Sequence, residues 1–209
     1  VTKLLCTHKH ADHSGGNEEM ARTIPGLEVV STRHEHIPAV TTTVDEGDVF
    51  ALGSLRIRTL HTPCHTAGHV LFYVEGEEGK APVLFSGDTL FVGGCGRFFE
   101  GDAKQMLSAM DKIAKLPPET LVMCGHEYTM ANLRFLASVT PDSPALKAKL
   151  AECEALRSRS LPTVPTTIGS ELAYNLFVLA RSPVVQDAVG SVGDAAAAMA
   201  RLREMKNAF

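Results

Sequence analysis

Near the start of the chain, within six positions, stand three imidazoles and a carboxylate: His8-Lys9-His10-Ala11-Asp12-His13. At this chain's own His and Asp frequencies the pattern arises by chance in on the order of ~0.001 of sequences, so no other segment constrains the fold as tightly. The apolar run before it, Val1 to Cys6, reads as a short strand. Residues two apart on extended backbone project to one side, which brings His8 and His10 together, while Asp12 and His13 at the turn reach a second point nearby. One loop can thus serve two ions. Imidazole nitrogen and carboxylate oxygen suit zinc, and also iron or manganese, whereas the lack of thiolate partners argues against a closed structural zinc site. Open coordination points to catalysis.

A loop of this kind needs a packed scaffold. With 209 residues, 44% hydrophobic and 21% charged, the chain has enough apolar surface for one large domain or one domain with an appendage. No apolar run approaches the ~18 residues of a membrane-spanning helix. Twenty basic against twenty-four acidic side chains give a formal charge of −4, and no basic stretch stands out, so neither nucleic acid nor a membrane is expected as a partner. An anionic ligand must then be held by a few local cations. The five cysteines, Cys6, Cys64, Cys95, Cys124 and Cys153, are odd in number and form no CxxC, which reads as free thiols in a reducing compartment: the cytoplasm, with the mitochondrial matrix as alternative.

Along the first 127 residues, short strand-like runs alternate with turns rich in Gly, Pro and Asp: residues 3–7, 27–31, 48–52, 55–60, 70–75, 83–86 and 121–124. One helix is expected after the Ser14 to Asn17 turn and another over 103–116, opened by Asp102 with Gln105 in the manner of a capping box and stopped by Pro117 and Pro118. Beyond residue 127 the spacing turns helical, over 128–139, 143–159, 171–179 and 194–206. The division is therefore a sheet-based unit over 1–127 and a helical unit over 128–209.

Further candidate ligands follow strand ends downstream: His65 and His69 in TPCHTAGH, Asp88 in FSGDT and His126 in CGHEYT. Singly each is a weak signal, since a His after a Gly or Pro turn is commonly a surface or core residue. Together, each on a loop after an apolar run, they are placed to gather at one sheet edge and complete two sites of three or four ligands each.

The strings THKHADHSGG, TPCHTAGH, SGDTLFVGGCGRF and CGHEYT, with LREMKNAF at the C-terminus, resemble the metallo-β-lactamase superfamily and, within it, the glyoxalase II or hydroxyacylglutathione hydrolase family. CGHEYT, the segment from Pro162 to Thr167 before Tyr174-Asn175, and the stretch from Arg203 to Phe209 carry the narrower likeness. The resemblance implies an α/β, four-layered αββα sandwich followed by a glutathione-binding helical domain. It also implies two strands and a helix ahead of the HxHxDH strand, so the chain is expected to be N-terminally incomplete. Carried over position by position, it assigns His8, His10 and His65 to one ion, Asp12, His13 and His126 to a second, and Asp88 to both. His69 is not a ligand in that family and is expected to orient a ligand loop.

By the same resemblance the reaction is hydrolysis of S-2-hydroxyacylglutathione, such as S-lactoylglutathione, to a 2-hydroxy acid and glutathione. Two divalent ions, zinc first with iron or manganese as alternatives, would share a water and bring its pKa from near 16 to about 7, so that a bridging hydroxide attacks the thioester without a Ser or Cys nucleophile. Asp12 and Asp88 are the implied catalytic residues. A thiolate from a thiol of pKa about 8.5 leaves without needing an acid. Glutathione carries two carboxylates, and Arg97, Tyr128, Arg203 and Lys206 are the implied substrate contacts, with Phe99 where relatives carry a ligand-contacting Tyr. Arg97 stands where many relatives have Lys, which keeps the charge and adds a planar fork. A monomer is expected. The alternatives are a persulfide dioxygenase using one iron and a truncated metal-binding pseudoenzyme; a nucleic-acid-processing metallohydrolase would need basic surface that this chain lacks.

Overall fold

Local sequence accounts for most element boundaries in the computed structural model, which describes residues 1–76 and 78–209. In chain order the elements are β1 (Lys3–Leu5), α1 (Ala11–Ser14), α2 (Asn17–Thr23), β2 (Glu28–Thr32), β3 (Thr42–Val44), β4 (Val49–Leu52), β5 (Leu55–His61), β6 (Val70–Val74), β7 (Val83–Gly87), β8 (Leu90–Phe91), β9 (Gly94–Cys95), α3 (Ala103–Ile113), β10 (Leu121–Cys124), α4 (Thr129–Val139), α5 (Pro144–Ser158), β11 (Thr166–Thr167), α6 (Ile168–Tyr174), α7 (Pro183–Ala188) and α8 (Ala195–Ala208). The capping box of α3 forms: Asp102 accepts the Gln105 N–H at 2.9 Å, and Gln105 Oε1 accepts the Asp102 N–H at 3.0 Å. Asp194 caps α8 from one side only, accepting the Ala197 N–H at 2.9 Å.

The first sheet is parallel, in the order β1-β2-β3. The second has six strands in the order β11-β10-β7-β6-β5-β4. Between them Val30, Val44, Ile57, Val70 and Phe72 form one buried apolar cluster. A larger cluster covers the other face of the second sheet, running from Leu71, Leu84 and Val122 through Met106 and Met110 of α3 to Phe135, Phe177 and Leu202. With α2 against β2 and α3 against α8 on the outside, the layers are helix, sheet, sheet, helix, with the C-terminal helices continuing the larger core.

Strand direction positions the site. β10 is parallel to β7, and β7 is antiparallel to β6, which is antiparallel to β5, so β5, β7 and β10 all end at one edge of the sheet. The loops holding His65, Asp88 and His126 leave from those three ends. The His8 to His13 loop joins them across the sandwich, where the Val70 N–H donates to the Thr7 carbonyl at 2.9 Å. Ligand sites in sheets of this kind gather outside the carboxyl ends of strands.

Some boundaries differ from the sequence expectation. The helix expected over 171–179 instead spans Ile168–Tyr174: Thr167 caps it by accepting the Ser170 N–H, and Asn175 leaves the helix to donate to the Phe91 and Gly94 carbonyls. The strands β3, β8, β9 and β11 and the helix α7 were not expected; two- and three-residue strands and a six-residue helix are too short to show a period.

Candidate metal centre

Two groups of donor atoms converge at this sheet edge. In the first, His8 Nε2 and His65 Nε2 each lie 3.1 Å from His10 Nδ1. In the second, His13 Nε2 and His126 Nε2 are 3.1 Å apart, with Asp12 Oδ2 at 3.5 and 3.2 Å from them. Zinc–nitrogen bonds of about 2.0–2.1 Å in a tetrahedron put two ligand nitrogens about 3.3 Å apart. The spacings thus fit ligands sharing an ion. Asp88 touches both groups: Oδ1 is 3.3 Å from His13 Nε2, and Oδ2 is 3.5 Å from both His65 Nε2 and His126 Nε2.

Proton positions support the same reading. His65 donates Nδ1–H to the Arg97 carbonyl at 3.0 Å, because a carbonyl only accepts, and this leaves the Nε2 lone pair facing inward. Burial, then the neighbouring histidines, push His8 down to about 2, so its ring is neutral at any ordinary pH. Burial lowers His65 as well. His13 moves the other way because Asp88 stands beside it. Burial acts to raise Asp88, but His13, with His126 and His65 nearby, outweighs it and holds the carboxyl below its usual range.

Asp88 Oδ1 is buried and makes no hydrogen bond, with His13 Nε2 3.3 Å away. Such an orphaned carboxylate oxygen is costly unless a cation completes it. There is no slack around it: a Cβ on Gly125 would lie 2.4 Å from Asp88 Oδ1 and 2.8 Å from His13 Cε1. The lone pairs that His8 and His65 turn inward, the imidazoles and carboxylates gathered around them and an unsatisfied oxygen make a donor set that fits divalent metal. His69 is fully buried and sits behind this set, its Nε2 accepting the Asp88 N–H at 3.1 Å and its Nδ1 lying 3.1 Å from Thr89 Oγ1.

His10, Asp12, His65, Asp88 and His126 form the floor of an open groove of about 680 Å³, and Arg97, Phe99, Tyr128, Arg203 and Lys206 line its walls. Phe99 is 59% exposed, its ring centroid 5.7 Å from that of His10 and 5.1 Å from that of His65. Tyr128 stacks on His126 at 4.9 Å. Lys206 donates to the Ala131 carbonyl at 3.1 Å, and burial, with Arg203 and Arg97 nearby, lowers it. Arg203 is only 8% exposed, and it donates to the Cys95 carbonyl at 3.0 Å and to Asn207 Oδ1 at 2.9 Å. Phe209 meets Phe135 edge to face at 5.7 Å.

All five thiols are free, and burial pushes Cys64 and Cys95 up to about 12, which leaves them protonated and unreactive. A separate group, His34, Asp45 and His61, lies apart from the groove. Its two rings stack at 4.4 Å with 17° between planes, and parallel rings do not aim two in-plane lone pairs at one ion. Arg33 and Lys112 add positive charge there. Sequence reasoning missed Glu35 and Glu100, whose carboxylates tie Lys9 to Gly68 and Ala67 across distant segments, and Glu171, whose bond to the Gly93 N–H spans 78 positions.

The family model described as the metallo-beta-lactamase superfamily matches residues 1–126, and that of the hydroxyacylglutathione hydrolase C-terminus matches residues 127–209. The chain is 44% identical to the "Hydroxyacylglutathione hydrolase cytoplasmic" of Arabidopsis thaliana, over 90% of this chain and 73% of that protein. It is 42% identical to the hydroxyacylglutathione hydrolase of Rhodospirillum rubrum, over 100% of this chain and 81% of that protein. Among solved structures, ETHE1 from Myxococcus xanthus superposes with a TM-score of 0.63 at 23% identity, covering 97% of this chain and 68% of that one, a likeness of fold.

Proposed function

The chain belongs to the hydroxyacylglutathione hydrolases of the metallo-beta-lactamase superfamily, and from that premise we propose that it hydrolyses S-2-hydroxyacylglutathione thioesters, S-lactoylglutathione among them, to a 2-hydroxy acid and glutathione. The observation that carries this reading is the shared Asp88 carboxylate, set between two groups of imidazoles on the floor of a cation-lined groove. His8, His10 and His65 would hold one divalent ion and Asp12, His13 and His126 a second, with Asp88 available to each; zinc suits the donors, as do iron and manganese. Bound metal would supply Lewis acidity and a source of hydroxide near neutral pH.

The protein's own part is positioning. Arg97 and Lys206 attract the carboxylates of the tripeptide, and Arg203 fixes the wall from behind through the Cys95 carbonyl. Tyr128 and Phe99 flank the floor through their rings against His126 and His10, where they would contact the tripeptide of the substrate. The thiol is a good leaving group, so no acid need be placed for it. The free thiols fit a reducing compartment such as the cytoplasm. Among the described residues no helix is long and apolar enough to cross a membrane; we read the protein as a monomer acting on a small-molecule thioester.

The test is metal analysis of the purified chain together with S-lactoylglutathione hydrolysis. Two ions per chain with turnover, both lost in Asp88→Ala, is the expected result. One iron per chain with consumption of oxygen on a glutathione persulfide, or bound metal without thioester turnover, would overturn it.

A further inference from the structure

We infer that Glu35 is a positioning residue for the first histidine group, its single carboxylate bridging the two loops that carry His8, His10 and His65. This rests on the reading that those three histidines hold an ion. Glu35 Oε1 accepts the Lys9 N–H at 2.8 Å, and Oε2 accepts the Gly68 N–H at 3.1 Å. Lys9 lies between His8 and His10; Gly68 is three residues past His65. Among the described residues the two segments meet at one end through the Val70 N–H and the Thr7 carbonyl at 2.9 Å, but no strand pairing joins them at Lys9 and Gly68 to set the 3.1 Å spacing of His10 Nδ1 and His65 Nε2, which are 55 residues apart. A carboxylate with one oxygen on each loop supplies that constraint, and each bond is charge-assisted.

Two further observations support a built clamp. A Cβ on Gly68 would lie 2.7 Å from Glu35 Cγ and 2.9 Å from its Cβ, so the side chain lies against a backbone that only glycine leaves open. Glu100 repeats the device beside it: Oε1 pairs with Lys9 Nζ at 2.7 Å, and Oε2 accepts the Ala67 N–H at 2.9 Å. Lys9 is thus held through both its amide and its ammonium to adjacent amides of the His65 loop. The second group takes no ligand from residues 65–69, so loss of the clamp should register on the first ion. Partners that orient metal ligands typically matter 10–100-fold in metal affinity.

The experiment measures zinc affinity of the full chain by chelator competition, for the unaltered protein, Glu35→Ala and Glu35→Gln, with thermal unfolding of each metal-free form. A His10→Ala control identifies the class of site that belongs to the first group. Expected is a 10–100-fold loss confined to that class in Glu35→Ala, a smaller loss in Glu35→Gln, which keeps one acceptor, and metal-free melting temperatures close to that of the parent. Unchanged affinity in Glu35→Ala, while the unaltered chain binds two ions, overturns the clamp alone. So does an equal loss at both classes accompanied by a lower metal-free melting temperature, the mark of a merely structural role. An unaltered chain that takes up no zinc at His8, His10 and His65 overturns the clamp together with the functional reading.

Discussion

His69 accepts the backbone N–H of Asp88 through Nε2 at 3.1 Å, and this bond sets where the carboxylate facing both histidine groups points. Accepting there places the His69 proton on Nδ1, toward Thr89 Oγ1 at 3.1 Å. The ring also stacks on His8 at 4.7 Å. His69→Ala should leave the Asp88 N–H buried without a partner, at a cost of about 1–3 kcal/mol, and should loosen Asp88. The expected outcome is a lower melting temperature together with less than two ions retained after dialysis. A variant as stable as the parent that retains both ions would remove His69 from this role.

The buried Glu171 offers a pH-dependent test of the join between the helices and the site. Its carboxylate receives the Gly93 N–H at 2.9 Å, Asn175 Nδ2 at 2.8 Å, Thr166 Oγ1 at 2.8 Å and the Tyr174 hydroxyl. Burial outweighs these donors and raises the carboxyl above its ordinary 4.5. The folded protein then holds this proton more tightly than the unfolded chain, so the contribution to stability is full below about pH 4.5 and falls as pH rises through the folded value. Denaturant unfolding of the parent and of Glu171→Gln, which does not titrate, should show their difference moving against the parent as pH rises above 4.5. A difference that stays flat or moves the other way would contradict the assignment.

What the sequence made legible followed from local density. Three imidazoles and a carboxylate in six positions, apolar runs before His65, Asp88 and His126, and the Asp102/Gln105 pair are all readable from adjacent residues. What stayed hidden was held by distance along the chain. Glu171 and Gly93 are 78 positions apart and Glu35 and Gly68 are 33 apart; one acid in a helix's first turn and one in a loop look the same in sequence whether or not they reach such a partner. α6 begins earlier than its spacing suggests because Ile168 and Gly169 donate to the Thr120 and Pro118 carbonyls, tertiary bonds that offset a glycine in the first turn.

Phe99 is poised to test what a hydroxyl at the groove wall contributes. Phe99 is 59% exposed and its ring lies against His10 and His65 at the groove wall, so a para-hydroxyl would meet open groove. One hydrogen bond is worth about 0.5–1.5 kcal/mol, which corresponds to roughly two- to twelvefold in affinity. Phe99→Tyr should lower KM for S-lactoylglutathione within that range and leave metal content unchanged. An unchanged KM in steady-state kinetics would show that the hydroxyl finds no partner on the substrate.

Arg203 and Lys206 share a wall of the groove but differ in what they hold, and their variants should separate. Lys206 spends one donor on the Ala131 carbonyl and lies over the Phe135 and Phe209 rings at 5.5 and 5.2 Å, leaving its ammonium partly in the groove. Arg203 is buried over Phe177 at 5.7 Å and tied to the Cys95 carbonyl in β9. Lys206→Ala should raise KM several-fold with little change in melting temperature, since it removes an attraction for an anion at a partly open site. Arg203→Ala should raise KM and also lower the melting temperature, because a buried carbonyl loses its donor at about 1–3 kcal/mol. Arg203→Lys keeps the charge but not the fork that serves Cys95 and Asn207 together, so it should recover KM better than stability. Equal stability of the Arg203→Ala and Lys206→Ala proteins would mean that the bond to Cys95 carries no weight in the fold.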